Sequence, residues 1–500
     1  MRRPYVLFAS ALIPFLALAT LNSAGYRYGA SDQAFYLPAI LYKLDPTLYP
    51  RDATLIVSQA KLTVVDEVVA GVARTTGLPM TALFAVLYAT ALGMLAWAAV
   101  RIGDLIYRTD WATGALLAAL TLRHAIIKSG TNTLEGYFHP RQLAFALGAM
   151  ALASFLRSGR SPAAPEPWRG GAAPLILLGL MIHPTTALWF LIWIGAAAFV
   201  SEPKWRPVLV LGGAAGAIAA VWTLIWGPLQ GRLSPMDDAW RATLAGKEYL
   251  FPLGWPLIAW IVNLGYVPLI LWLFSRRRAA GVALPREKGV VIGAICLVAV
   301  FVTAVLLQAM HVALAFQLQP ARIFWMLDFL ATIYAVWALA EMGGVRERRA
   351  AIVAAVVFAL SCVRGGYVRF VRFPDRPVVQ FGIPDDDWGR AMAWARTTAV
   401  SSHWLADPYH AAHYGTSLRV AGQRDLFVEE IKDTAIGMYD RPVAMRTSER
   451  IAALGDFAAL TPTRARALAD QYGLDYLVTE QPIDLPLAFS SGAIRVYRLR

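Results

Sequence analysis

Residues 173–200 read APLILLGLMIHPTTALWFLIWIGAAAFV, and whether they form one helix or two sets the sidedness of everything downstream. Counted as one span, the run places two basic clusters on the outer side: Arg276, Arg277, Arg278, Arg286 and Lys288, then Arg346, Arg348 and Arg349. That breaks the positive-inside tendency twice. Counted as two short helices meeting at His183-Pro184, it places both clusters in the cytoplasm. The residue before a proline is pushed out of the helical region, which supports a break there. The ascending arm, 173–183, reaches only about 16 Å at 1.5 Å per residue. The turn is therefore expected below the outer surface, lining a cavity.

A span needs about 20 apolar residues. Further runs of that kind lie near 5–22, 81–100, 112–127, 141–157, 207–226, 254–275, 288–309, 320–341 and 349–363. With the hairpin they predict an α-helical polytopic membrane protein of about eleven helices, N-terminus inside and C-terminus outside. The first run, behind Arg2 and Arg3 and before Ala24, has the form of a signal peptide, but reads as an uncleaved anchor. The composition agrees: 58% of residues are hydrophobic and 16% charged, against about half and a quarter in soluble domains. The net charge of +13 sits in loops between apolar runs rather than on a basic face interleaved with aromatics, so nucleic acid is not an expected partner. Cys296 and Cys362, both in apolar runs, exclude a disulfide framework and a cysteine metal site.

The spans make residues 1–373 a membrane domain and 374–500 a small α/β domain outside the cytoplasm. The outer loop 23–80 carries an amphipathic stretch at 61–76, fitting either a membrane-surface helix or one packed on the loop. Ser158–Gly171 reads as a short cytoplasmic loop. In the C-terminal part Trp388–Thr398 reads as a helix, Thr461-Pro462 starts another that Gly473 ends, and Tyr476–Thr479 and Ile494–Leu499 read as strands.

Three inward-running helices start with proline: Phe138-His139-Pro140-Arg141, Ile182-His183-Pro184-Thr185 and Leu318-Gln319-Pro320-Ala321-Arg322. Each start directs a partial positive charge outward, and Arg141 and Arg322 add full charges that oppose the helix dipole. Such a cost, tolerated twice at one depth, points to an anion: helix N-termini bind phosphate, and arginine holds it bidentately. Each proline alone is a plain helix cap. The acidic candidates are Asp32, directly after the first helix; Asp45 and Asp52 in the outer loop; and Glu135 before the first proline start. A carboxylate beside a phosphate site can deprotonate an acceptor hydroxyl or hold a divalent metal ion. Asp45, followed by proline, reads as a turn start.

The early acidic residue in the first outer loop, the multi-helix body and the C-terminal outer domain resemble the GT-C superfamily of membrane glycosyltransferases. Ser31-Asp32-Gln33, Tyr36-Leu37-Pro38, Glu135-Gly136-Tyr137-Phe138-His139-Pro140-Arg141, His183-Pro184-Thr185-Thr186-Ala187 and Gln319-Pro320-Ala321-Arg322 are similar to a bacterial branch of it. So are the C-terminal Asp387-Trp388, Trp394-Ala395-Arg396, Ala406-Asp407-Pro408 and Asp475-Tyr476-Leu477-Val478 pieces. The resemblance implies a bacterial inner membrane and inverting transfer from a polyprenyl-phosphate-linked sugar to a glycan, lipid or protein acceptor. It gives Asp32 the role of base or metal ligand; Asp52, from its own place in the outer loop, is the second candidate ligand. Many relatives pair two acidic residues there, whereas Asp32 is followed by Gln33, which leaves metal dependence open. From the helix starts, Arg141, Gln319 and Arg322 are expected on the lipid phosphate, with Glu135, His139 and His183 lining the cavity.

Weaker features carry plainer expectations. His403, His410 and His413 match no closed zinc spacing and read as surface histidines. Arg419, Arg424 and Lys432 read as a solvated face, and Asp328, beneath Arg322, as the partner of an arginine. Trp222, Trp226, Trp240 and Trp255 read as an interfacial belt. Two rivals remain: a lipid-linked saccharide transporter or flippase, and a non-catalytic scaffold of the same fold.

Overall fold

The computed structural model describes residues 3–58, 62–124, 126–158 and 171–500. Most of the Ser158–Gly171 loop, and Lys61 at the start of the amphipathic stretch, lie outside them. The described residues are 67% helical, with a small C-terminal sheet region. Among the described residues eight helices are long and apolar enough to cross a membrane. They correspond to eight of the expected runs; the runs at 112–127, 141–157 and 173–183 form shorter or more polar helices.

Two compact units emerge. The first comprises Met1–Gly25, Leu87–Pro235 and Glu248–Val378. Its main helices are α1 (Arg3–Asn22), α2 (Met80–Ile106, starting in the second unit), α3 (Asp110–Thr121), α4 (Pro140–Ser158), α5 (Ala172–Ile182), α6 (Pro184–Ser201), α7 (Arg206–Ile225), α8 (Leu257–Ala279), α9 (Glu287–Ala309), α10 (Ile323–Glu341) and α11 (Glu347–Tyr367). The 173–200 run is thus two helices, and they meet at His183, whose φ of −150° and ψ of 88° lie outside the helical region.

Tight helix packing in this unit rests on missing side chains. A Cβ at Gly293 would meet the Trp193 carbonyl at 2.4 Å, and one at Gly289 the Ala197 carbonyl at 2.5 Å. These two glycines, one turn apart, let α9 lie against α6, as small residues do between membrane helices. The Trp193 indole then donates to the Val290 carbonyl at 2.9 Å. Phe145 of α4 stacks on Trp325 of α10 with centroids 3.9 Å apart. The basic 276–288 stretch is not wholly a solvated loop: Arg277 is buried and pairs with buried Glu287 at 2.5 Å.

The second unit comprises Tyr26–Val86, Met236–Lys247 and Val379–Arg500. The outer loop, expected with the membrane helices, therefore packs with the C-terminal part. Strand β1 (Tyr26–Arg27) pairs in parallel with β2 (Val379–Gln380). Tyr49, Leu55 and Ile56 form a core with Ile436 and Val443. Trp240, expected in an interfacial belt, donates its indole N–H to the Gly437 carbonyl at 2.7 Å inside this unit.

The remaining strands, β3 (His403–Leu405), β4 (Asp425–Leu426), β5 (Tyr476–Thr479), β6 (Leu487–Ser491) and β7 (Ile494–Arg498), form one mixed sheet in the order β4-β3-β5-β7-β6. Successive residues face opposite sides. Trp404, Val478 and Val496 enter a core with Trp388 and Met392. Leu405, Leu477 and Tyr497 enter another with Leu468 and Leu474. A sheet buried on both faces makes this an α/β arrangement. The helix over Pro462–Tyr472 is capped at Thr461, whose hydroxyl accepts from Arg464 N at 3.2 Å, and ends at left-handed Gly473.

Candidate functional site

In the first unit the proline-started helices build a polar cluster inside an apolar body. His139 Nδ1 accepts from Arg141 N at 3.0 Å and His183 Nδ1 from Thr186 N at 3.3 Å, so each histidine caps the helix its proline begins. An Nδ1 that accepts leaves the proton of a neutral imidazole on Nε2. The two rings meet edge to face with centroids 5.8 Å apart. Arg141 pairs with Glu135, both side chains about 5% exposed. The other carboxylate oxygen of Glu135 is buried with no hydrogen-bond partner among the described residues. Arg322 closes the 3-10 turn Pro320–Arg322, and it, His139 and Arg141 all act electrostatically on His183. Gln319 enters that turn with φ +51°, a left-handed conformation that costs a non-glycine residue about 1–2 kcal/mol.

The segment carrying Glu135 is pinned by polar groups that local reading missed. Asp328 pairs not with an arginine but with His124 Nδ1, at 2.7 Å, and accepts from the Tyr266 hydroxyl at 3.0 Å. His124 Nε2 faces the Ala119 carbonyl at 3.0 Å, and Asn263 donates to the Ile127 carbonyl at 2.8 Å. Helix α3 therefore stops at Thr121, and residues 122–124 and 126–139 are anchored and non-helical.

Asp32 belongs to the second unit. It sits on a constrained turn: Gly29 has φ +78° and Ser31 φ +53°, and the Gln33 side chain accepts from Gly29 N at 2.6 Å. A Cβ at Gly29 would press on Ile383 and Val420 at 3.3 Å, which adds to the need for glycine. The Asp32 carboxylate, 28% exposed, accepts from Lys432 Nζ at 2.8 Å. That ammonium also stands 5.1 Å from the Phe35 ring centroid.

Asp52 lies in a buried charge network instead. Its oxygens receive Arg419 Nε at 3.0 Å, Leu426 N at 3.2 Å and the Arg446 guanidinium. Burial alone would raise this carboxyl, but Arg419 and Arg446 overcome it and hold the group well below the usual carboxylate range. Asp425 accepts from Arg51 N at 3.0 Å and Asp52 N at 2.9 Å. Among the described residues no three His, Cys, Asp or Glu side chains stand together as metal ligands.

Two histidines and three basic residues of the second unit lie deeper than their sequence suggests. His403 and His410 are buried, and only His413 is exposed. His410 is a satisfied core histidine, its Nδ1 at 2.7 Å from the Asp407 carbonyl and its Nε2 accepting from Leu418 N at 3.1 Å. Arg419, Arg424 and Lys432 are also buried rather than solvated, because carboxylates and carbonyls distant in sequence receive them.

This network gives a pH-dependence with a definite sign. Burial, aided by Arg450 and Arg51 against the pull of Asp52, pushes His403 down to about 4. Its contribution is complete above the ordinary histidine value and is lost as pH falls toward 4. Burial and the Asp52 charge raise Asp425 to about 6, so its contribution is present at low pH and lost as pH rises through 6. Relative to the parent protein, His403→Gln should gain stability on acidification from pH 7 to 4.5 and Asp425→Asn should lose it. Each difference should run on the order of 1 kcal/mol per pH unit within its window. Thermal melts at four pH values decide it; parallel curves for both variants would remove the assignment.

No protein-family model matches the chain, and no curated protein matches it.

Proposed function

We propose that the chain is an inner-membrane glycosyltransferase that moves a sugar from a polyprenyl-phosphate carrier to an extracytoplasmic acceptor with inversion at the anomeric carbon. One observation carries this reading: the helix starts at Pro140 and Pro184 and the Pro320–Arg322 turn bring two arginines, two histidines and a carboxylate into one polar cluster, buried except for half-buried His183. Guanidinium groups and helix N-termini suit a lipid phosphate, and a buried carboxylate oxygen suits sugar hydroxyls. Arg141, Gln319 and Arg322 take the phosphate, and Glu135, His139 and His183 take the polar groups next to it. Asp32 acts as base or metal ligand: the acceptor oxygen attacks the anomeric carbon, the bond to phosphate breaks, and the acceptor proton leaves to the base.

Purified protein in bilayers, offered radiolabelled sugars on a panel of polyprenyl phosphates, provides the test. Transfer should occur and fall about a thousandfold or more in Asp32→Asn, the scale of losing a general base. No turnover with any donor, together with Arg322-dependent translocation of the lipid, would replace the transferase by the flippase. No turnover and no lipid movement would leave the scaffold.

A further inference from the structure

Helix α11 and its π-helical extension Val368–Arg372 form a candidate span with basic residues at both ends. Arg346, Arg348 and Arg349 stand at its start, and Arg364, Arg369, Arg372 and Arg376 at or beyond its end. Whichever way the helix runs, the positive-inside tendency accounts for one end only. At the start, Arg349 already has a local duty: it donates to the Leu339 carbonyl at 2.7 Å and the Ala338 carbonyl at 3.0 Å, closing the end of α10.

The other end is different. Arg123 joins it electrostatically, since Arg364 feels the charges of both Arg123 and Arg372. The contacts these arginines make are to neutral groups. Arg364 Nη1 donates to Asn22 O at 2.9 Å and Asn22 Oδ1 at 2.7 Å, and Arg123 Nε to Asn132 Oδ1 at 3.3 Å. Arg372 and Arg376 lie 5.3 and 3.9 Å from the Phe373 ring centroid. None of the five has an ion pair with a carboxylate among the described residues. Burial and the neighbouring Arg372 charge both push the Arg376 guanidinium down, so the cluster is held against its own repulsion. A small cleft of about 10 Å³, room for little more than one water molecule, lies beside it, lined by Leu21, Ala24, Gly25, Arg369, Phe373 and Arg376.

The immediate flank is apolar. Val363 is 70% exposed, Phe370 74% and Val371 63%. Guanidinium groups bind phosphate bidentately, and basic pockets beside membrane helices take lipid head groups. A soluble phosphate would meet the charges but have no use for the apolar flank. We propose that the arginine cluster at the end of α11 binds the phosphodiester head group of an anionic bilayer phospholipid, whose acyl chains run along Val363, Phe370 and Val371. The proposal does not rest on the transferase reading.

Native mass spectrometry of the full chain, titrated with phosphatidylglycerol, phosphatidylcholine, inorganic phosphate and a polyprenyl phosphate, tests it. The parent protein should retain phosphatidylglycerol in preference to phosphatidylcholine. The double variant Arg372→Gln/Arg376→Gln should bind it about 25-fold more weakly, at roughly fivefold per lost charge. Arg372→Lys/Arg376→Lys should keep most of the affinity, and Arg372→Gln alone, losing about fivefold, serves if the double variant does not fold. Equal phosphatidylglycerol binding by parent and Gln variants would overturn the proposal. So would a variant effect confined to inorganic phosphate or to polyprenyl phosphate.

Discussion

Arg419→Met should abolish cooperative folding of the second unit or lower its melting temperature by at least roughly 10 °C, the largest stability effect expected of any single substitution in this chain. Arg419 is 2% exposed and meets three carboxylates: Asp52 at 3.0 Å, Asp433 through two bonds of 2.6 and 3.1 Å, and Glu429 at 3.8 Å. Removing it leaves negative charges buried without their cation, which costs about 3–5 kcal/mol against a typical total of about 5–15 kcal/mol. Lysine should not rescue it, because one ammonium cannot reproduce a planar fork held from two sides. Arg441→Gln is the control. Arg441 pairs with Asp237 at 2.5 Å but both side chains are nearly half exposed, so its loss should cost no more than about 1 kcal/mol. Circular dichroism melts of the three variants decide the matter; a parent-like melt for Arg419→Met would sink the argument.

The same network shows what a linear reading can and cannot see. Arg419 and Asp52 are 367 positions apart, and no local pattern distinguishes a buried arginine from a solvated one. Burial of Arg419, Arg424 and Lys432 became visible only when carboxylates and carbonyls distant in sequence came to meet them. The short parallel pairing of β1 with β2, which gathers the outer loop with the C-terminal part, is equally non-local. Features set by the chain's own neighbourhood were legible. Pro184 breaks the helix at His183, and Thr461, Pro462 and Gly473 bracket a helix, because these effects act within one turn. The run at 112–127 misled because its apolar composition continues past Thr121, while the contacts of His124 and Ile127 pull the backbone away from helix. Of the candidate site, the helix starts were legible through their prolines. The salt bridge of Glu135 to Arg141 crosses a helix start, where spacing rules for helical faces do not apply.

On the proposed transferase reading, Glu135→Gln should lower kcat/KM for sugar transfer about a hundredfold. It should lower the melting temperature less than Glu135→Ala does, since it removes the buried counter-charge of Arg141 but keeps an acceptor. One Glu135 oxygen receives Arg141, and a glutamine amide oxygen can still do so. The other oxygen is buried with no hydrogen-bond partner among the described residues, a state that proteins seldom leave in place without use. A sugar hydroxyl arriving there would be bound by a charged acceptor, and losing that charge removes about 1.5–3 kcal/mol, or roughly ten- to two-hundredfold in rate. Turnover per folded molecule separates this from a purely structural carboxylate. If Glu135 served only to neutralise Arg141, the glutamine variant would melt many degrees lower and retain turnover per folded molecule. If it also serves substrate, turnover per folded molecule falls as well. Glu135→Ala, which also deprives Arg141 of its acceptor, should lose both, so the ordering of the two variants identifies which contact the protein keeps this carboxylate for.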